Sequence, residues 1–116
     1  MNYKRINTDY LRSVSGGDKT IIIELVDLFR EQISEISNDM RALLSRGDLY
    51  SLGLLAHKAK SSVAIMGMAD LASMLKKFEL EGKEGKNKEN YESYINRYEK
   101  ESNEAVSELQ DFISTM

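Results

Sequence analysis

The sequence predicts an all-α chain: an antiparallel up-down-up-down four-helix bundle with a short N-terminal covering helix, one domain spanning residues 1–116. Three observations lead there. Proline is absent from the chain, and β-branched residues do not alternate in the two-residue rhythm of a strand. Apolar residues recur instead three and four positions apart through long stretches. Short breaks containing glycine separate those stretches, and four long helices joined by short loops imply an antiparallel bundle.

Residues 1–6 are expected to be extended or frayed. Asn7 or Thr8 suits the N-cap of a short helix reaching about Val14, with Asp9 in its first turn. Tyr10, Leu11 and Val14 would lay that helix across one end of the bundle, and Ser15-Gly16-Gly17 breaks it. Asp18 is the N-cap expected for a long helix running to about Arg46. Its apolar residues Ile22, Val26, Phe29, Ile33, Ile36, Met40 and Leu43 keep alternating spacings of four and three. Ile21, Leu25, Leu28 and Leu44 widen that stripe, as expected of a helix packed on more than one neighbour rather than a narrow coiled-coil seam.

Gly47 fits the left-handed residue that ends this helix and Asp48 the cap of the next, which covers about residues 49–66 and stops at Gly67. A fourth helix is expected from Ala69 or Asp70 to Glu81, with Leu71, Leu75 and Phe78 inward. Gly82-Lys83-Glu84-Gly85-Lys86-Asn87-Lys88 reads as a loop whose lysines 83, 86 and 88 are solvated. The last helix runs from about Lys88 to near the end. Its core and rim are Tyr91, Tyr94, Ile95, Tyr98, Ser102, Ala105, Leu109, Phe112, Ile113 and Met116.

The third helix carries the only histidine in the chain. Successive residues turn by about 100° around a helix axis. Leu52, Leu55, Ala56, Ala59, Ser62, Val63 and Met66 therefore gather on one face, the core side. His57 emerges nearly opposite its centre, in solvent. Around it on the surface lie Gly53, Leu54, Lys60 and Ser61, then Tyr50, Ala64 and Met68 one turn further out. Gly53, Ser61 and Ala64 are small enough to let another protein approach the imidazole. Leu54, Ala64 and Met68 put apolar groups on a wet face, as a docking site does. Ser62 is expected to bond back to a carbonyl one turn earlier.

His57, Lys60, Ser62 and Gly67 fit the spacing H-x-x-K-x-S-x-x-x-x-G, and Leu71, Leu75, Phe78 and Glu79 continue it as L-x-x-x-[LC]-x-x-[LF]-E. In these residues the chain resembles the histidine-containing phosphotransfer (HPt) domains of two-component phosphorelays. The family usually has glycine directly after the lysine, where this chain has Ser61. The resemblance implies that His57 takes a phosphoryl group from a receiver-domain aspartyl phosphate and passes it to another receiver. Response-regulator receivers, including that of a hybrid sensor histidine kinase, would be the partners. Lys60 would stabilise the phosphoryl charge, and Tyr50, Gly53, Leu54, Lys58, Ser61, Ala64 and Met68 would form the docking surface. No cofactor of its own is implied, since the Mg²⁺ belongs to the receiver's acidic pocket.

The residues themselves are compatible with that chemistry. An exposed imidazole ordinarily titrates near 6.5 and is mostly neutral, hence nucleophilic, at neutral pH. Lys60, one turn away on nearly the same face, is expected to stand near the new phosphoryl oxygens after transfer and to offset their charge; Lys58 and Lys76 could add to the field, though Lys58 points about 100° away and reads equally as a solvated residue. No glycine-rich phosphate loop appears and 116 residues leave no room for an ATP-binding domain, so the chain is expected to have no autonomous kinase activity.

Bulk properties set the remaining bounds. Hydrophobic residues are 41% and charged residues 30% of the chain, a globular balance. A net charge of −3 argues against nucleic acid as partner. Cysteine is absent, which removes disulfides and thiolate chemistry. No run approaches the roughly 18 apolar residues of a membrane span, and no apolar signal core follows residues 1–6, so a cytoplasmic protein is expected; a bundle closed on itself has no need to dimerise, so a monomer is expected. The termini carry no linker-like stretch, which favours a free-standing chain over a piece of a larger kinase. A lone histidine does not make a di-metal bundle site. The competing reading is a helical adaptor that binds a signalling partner through the His57 face without phosphorylation. Retention of both His57 and Lys60 favours the relay.

Overall fold

The computed structural model describes residues 3–116, and every regular element among them is helical. Helix α1 is Thr8–Ser15, α2 Lys19–Arg46, α3 Leu49–Ile65, α4 Ala69–Glu84 and α5 Tyr91–Ser114, with a 3₁₀ turn Lys88–Asn90 before α5. Side-chain oxygens of Asn7, Asp18 and Asp48 accept hydrogen bonds from the first backbone N–H groups of α1, α2 and α3, as the capping residues predict. The long helices pack in a closed ring, α2 on α3, α3 on α4, α4 on α5 and α5 on α2, while α1 touches α2 and α3. No helix of the described residues is long and apolar enough to cross a membrane.

One hydrophobic core runs through the ring. The predicted stripe of α2 is buried from Ile22 to Met40, with Leu43 at its margin. Leu25 and Leu44 pack partly against the core, but Ile21 and Leu28 are exposed, so α2 buries a narrower face than its apolar content suggests. On α1 Leu11 and Ser15 are buried, whereas Tyr10 and Val14, expected to pack across the bundle end, are exposed. On α5 the tyrosines 91 and 98 are core and Tyr94 is rim, whereas Met116 lies beyond the end of the helix and is exposed. Phe78 meets Tyr91 and Tyr94 at ring-centre distances of 5.3 and 5.1 Å, joining α4 to α5.

Two departures from the expected layout follow from backbone contacts. Residues 3–6 are non-helical, as one half of the expectation has it, but they are tied down rather than frayed, while residues 1–2 lie outside the described residues. The Arg5 and Ile6 amides donate to Glu108 Oε1 at 2.8 and 3.1 Å, and the Arg5 guanidinium reaches Glu104 at 2.9 Å. The Tyr3 hydroxyl donates to Asp111 at 2.6 Å, so the segment lies along α5.

The second departure is that α4 continues through Gly82 to Glu84 and ends at Gly85, which is left-handed with φ 68°. Gly82 lies within the helix, at a point where α3 leaves no space for a side chain. A Cβ on Gly82 would stand 3.0 Å from the Gly53 Cα and from the Leu49 carbonyl oxygen. One on Gly53 would stand 2.8 Å from the Glu79 carbonyl oxygen and 2.9 Å from the Lys83 nitrogen. The two backbones touch at this glycine pair, which brings the last turns of α4 beside the first turns of α3, one turn before His57.

Candidate functional site

His57 projects from the middle of α3 with 56% of its side chain exposed, as its position opposite the core face requires. Its ring is not free on both edges. Nδ1 lies 3.0 Å from Oε1 of Glu79 on α4. The other carboxylate oxygen, Oε2, accepts a hydrogen bond from the Lys83 ammonium at 2.8 Å, one turn along α4. Lys60 Nζ stands 3.6 Å from Oε1, beyond good hydrogen-bonding distance. Glu79 thus occupies the centre of the group, with only 10% of its side chain exposed.

Lys83 does most to hold the Glu79 carboxyl ionised, down to about 2; His57 assists it, and burial opposes both. An ionised carboxylate only accepts hydrogen bonds. Nδ1 must therefore be the protonated ring nitrogen when the imidazole is neutral. That leaves the lone pair on Nε2, the nitrogen turned away from Glu79. The site consequently presents one nucleophilic nitrogen, held in one tautomer, beside a lysine that is incompletely paired.

The surrounding surface only partly matches expectation. Tyr50, Leu54, Lys58, Ser61 and Ala64 are exposed. Gly53 is buried: it serves the crossing of α3 and α4, and its missing side chain admits α4 rather than a partner. Met68 is 3% exposed and belongs to the core at the start of α4, so it also leaves the docking surface. Ser61 donates its hydroxyl to the His57 carbonyl at 3.3 Å. Ser62 does not bond back along its own helix; it donates to Gln32 Oε1 on α2 at 2.6 Å. Lys58 and Lys76 are exposed and make no ion pair among the described residues. Beside the His57 face, an open groove of about 470 Å³ runs between α2 and α3, floored by Leu43 and Leu55 and edged by Leu54, Lys58, Asp39 and Arg46.

Sequence reading placed His57 and Lys60 at the site but gave Glu79 no role beyond the motif and left Lys83 in a loop. A signal for both existed. Glutamate followed four residues later by lysine is the favourable helical pairing, and extending α4 by one turn puts both on it. The model of one protein family, the Hpt domain, matches residues 24–115. The chain belongs to the Hpt domain family. Neither the curated proteins nor the solved structures compared with it gave a match. Membership in this family implies phosphotransfer in two-component signalling, with receiver domains as the general class of partner. In this Hpt domain the matched span includes α3, α4 and α5 entire and most of α2, while α1 and the clamped segment before it lie outside.

Proposed function

We propose that this Hpt domain is a phosphorelay intermediate in which His57 carries the phosphoryl group between two receiver domains. The observation that carries the reading is the hydrogen bond between His57 Nδ1 and Glu79. It leaves Nε2 as the attacking atom, on the exposed side of the ring and without a hydrogen-bond partner among the described residues. In the transfer, the Nε2 lone pair forms the N–P bond. The P–O bond to the donor aspartate breaks, and its electron pair leaves with the carboxylate. The Nδ1 proton stays in place, so the phosphorylated ring is cationic and Glu79 offsets that charge. The reverse sequence delivers the group to an acceptor aspartate.

Lys60 is the cation available to the incoming phosphoryl oxygens. The receiver contributes the Mg²⁺ and the remaining charge stabilisation from its own acidic pocket. Tyr50, Leu54, Lys58, Ser61 and Ala64 form the docking face, extended by the apolar groove between α2 and α3. The same reading takes α2–α5 as an antiparallel up-down-up-down bundle covered by α1. It is supported by the closed ring of packed neighbours and by connections as short as Gly47-Asp48.

The test is incubation with a receiver domain phosphorylated on aspartate. Wild-type protein should acquire an acid-labile, base-stable phosphate, and His57→Gln should acquire none. Label persisting in the variant moves the site elsewhere. No label from any receiver of the same cell favours an adaptor that binds without being phosphorylated.

A further inference from the structure

Three polar groups converge on one carboxylate, and they do so unequally. Lys83 Nζ meets Glu79 Oε2 at 2.8 Å; Lys60 Nζ is held off Oε1 at 3.6 Å; His57 Nδ1 occupies Oε1 at 3.0 Å. A carboxylate this buried needs a close countercharge, and removing that countercharge forces the group to find another or to leave. Lys60 is the only other cation within reach among the described residues.

We infer that Lys83 is a positioning residue of the site: by anchoring the far oxygen of Glu79 it keeps the near oxygen on the His57 Nδ1 proton and leaves Lys60 spare for the phosphoryl group. The inference rests on the phosphorelay reading for its second half only. The first half, control of the ring tautomer, belongs to the unphosphorylated protein.

The division of labour follows from reach. Lys83 sits on the same helix as Glu79 at the i+4 position, so the pair is set by α4 alone and persists whatever docks on α3. Lys60 sits on α3 with His57, three residues away, and follows the imidazole face. When a dianionic phosphoryl group arrives at Nε2, Lys60 turns to it without stranding Glu79, because Lys83 still compensates the carboxylate. Without Lys83 the two demands compete for Lys60. Either the carboxylate takes Lys60 and the phosphoryl group loses its cation, or Glu79 swings away and the Nδ1 proton is no longer fixed.

Lys83→Met keeps the aliphatic stem and removes the charge; Lys83→Arg keeps the charge. Two readouts are needed. Nitrogen-15 spectra of the unphosphorylated ring at neutral pH report the tautomer. Wild type and Lys83→Arg should show the Nδ1–H form predominating, and Lys83→Met a mixture. The half-life of phosphohistidine, loaded from a phosphorylated receiver or from phosphoramidate, reports the cation. It should fall by about tenfold in Lys83→Met, the scale seen when partners that orient a metal-ligating imidazole are removed. Lys60→Met should shorten it similarly, and the double variant should be little worse than either single one, since both changes withdraw the same cation.

An unchanged tautomer ratio in Lys83→Met, or fully additive losses in the double variant, overturns the inference while leaving His57 as carrier intact. A tautomer shift in Lys83→Met with no label on wild-type His57 from any receiver would support Lys83 as the positioning residue and remove the relay reading instead.

Discussion

Glu79 is the residue whose loss should reveal most about the site, because it ties a proton on α3 to a charge on α4. Glu79→Gln keeps the shape but removes the acceptor-only character that dictates the tautomer. Phosphoryl transfer to His57 should slow by roughly tenfold to a hundredfold, checked by the rate of label uptake from a phosphorylated receiver with the fold verified by circular dichroism. The same carboxyl has a consequence for acid stability. Its protonation is held down to about 2 from an ordinary value of 4.5, chiefly by Lys83. A group depressed in the folded state contributes stability that is fully present above its unfolded pKa and is lost as pH falls through the folded one. That window lies between about pH 4.5 and 2. Thermal melts from pH 5 down to pH 2.5 should therefore fall less steeply for Glu79→Gln than for wild type. Equal slopes would mean that the carboxylate does not gain its charge stabilisation on folding. At this scale the sequence disclosed His57 and Lys60 through spacing alone. It did not disclose the carboxylate bond, because residues 57 and 79 meet only once two helices are packed at a particular depth. Ser61 sits exposed between them and any partner. Ser61→Gln should leave melting within about 0.5 kcal/mol of wild type, as for most surface changes, yet slow transfer if receivers dock across that turn. Stopped-flow or gel-based transfer rates decide it, and an unchanged rate would place docking elsewhere.

That depth is set between elements. Gly53 on α3 and Gly82 on α4 let the two backbones touch, and what a new Cβ would strike at Gly53 is first the Glu79 carbonyl and the Lys83 nitrogen, main-chain atoms that cannot rotate aside. Gly53→Ala should cost about 1–3 kcal/mol, the range for overpacking a filled interior. A destabilisation of 1 kcal/mol lowers the melting temperature by roughly 4–8 °C in a domain near this size. Because Glu79 and Lys83 lie on the displaced stretch of α4, the His57 tautomer should lose definition along with stability. A surface-like result, no thermal shift and an unchanged ring spectrum, would show that α4 is not seated by this contact. Helix existence and most of each core face were legible from spacing: the buried runs of α2, α3 and α5 follow the three-and-four rhythm, although Leu55 and Ser62 are only partly buried and Gly53 and Val106 are buried outside it. The end of α4 was not, since a glycine reads as a breaker in sequence while here it is a point of close approach. The exposed Ile21 and Leu28 show the converse limit. Apolar type predicts that a residue can be buried, and only what packs over it decides whether it is.

Across the whole molecule, the machinery at His57 and the clamp on the N-terminal segment are separate structures. The matched family span begins within α2, whereas residues 3–6 are tied to the far part of α5 by Glu108, Glu104 and Asp111. From the sequence, residues 1–6 are expected to be extended or frayed. The order of residues 3–6 comes from acidic side chains more than ninety residues away, a pairing no local pattern announces. Ile6 is buried beneath the clamp, so the segment adds apolar cover as well as charge. Glu108 is the economical place to separate stability from transfer. Its Oε1 accepts both the Arg5 and Ile6 amides, and Glu108→Ala leaves two part-buried donors without that acceptor. Leaving such donors unmet costs on the order of 1–3 kcal/mol. Urea unfolding should show a lower midpoint with an unchanged slope, the mark of lost stability without a change in the unfolded ensemble. Label uptake at His57, measured well below the new midpoint, should match wild type, since α3 and α4 position the imidazole without help from residues 3–6. Slowed uptake at full folding would instead mean that the clamp reaches the site through the core, and the two halves of the molecule would have to be treated as one.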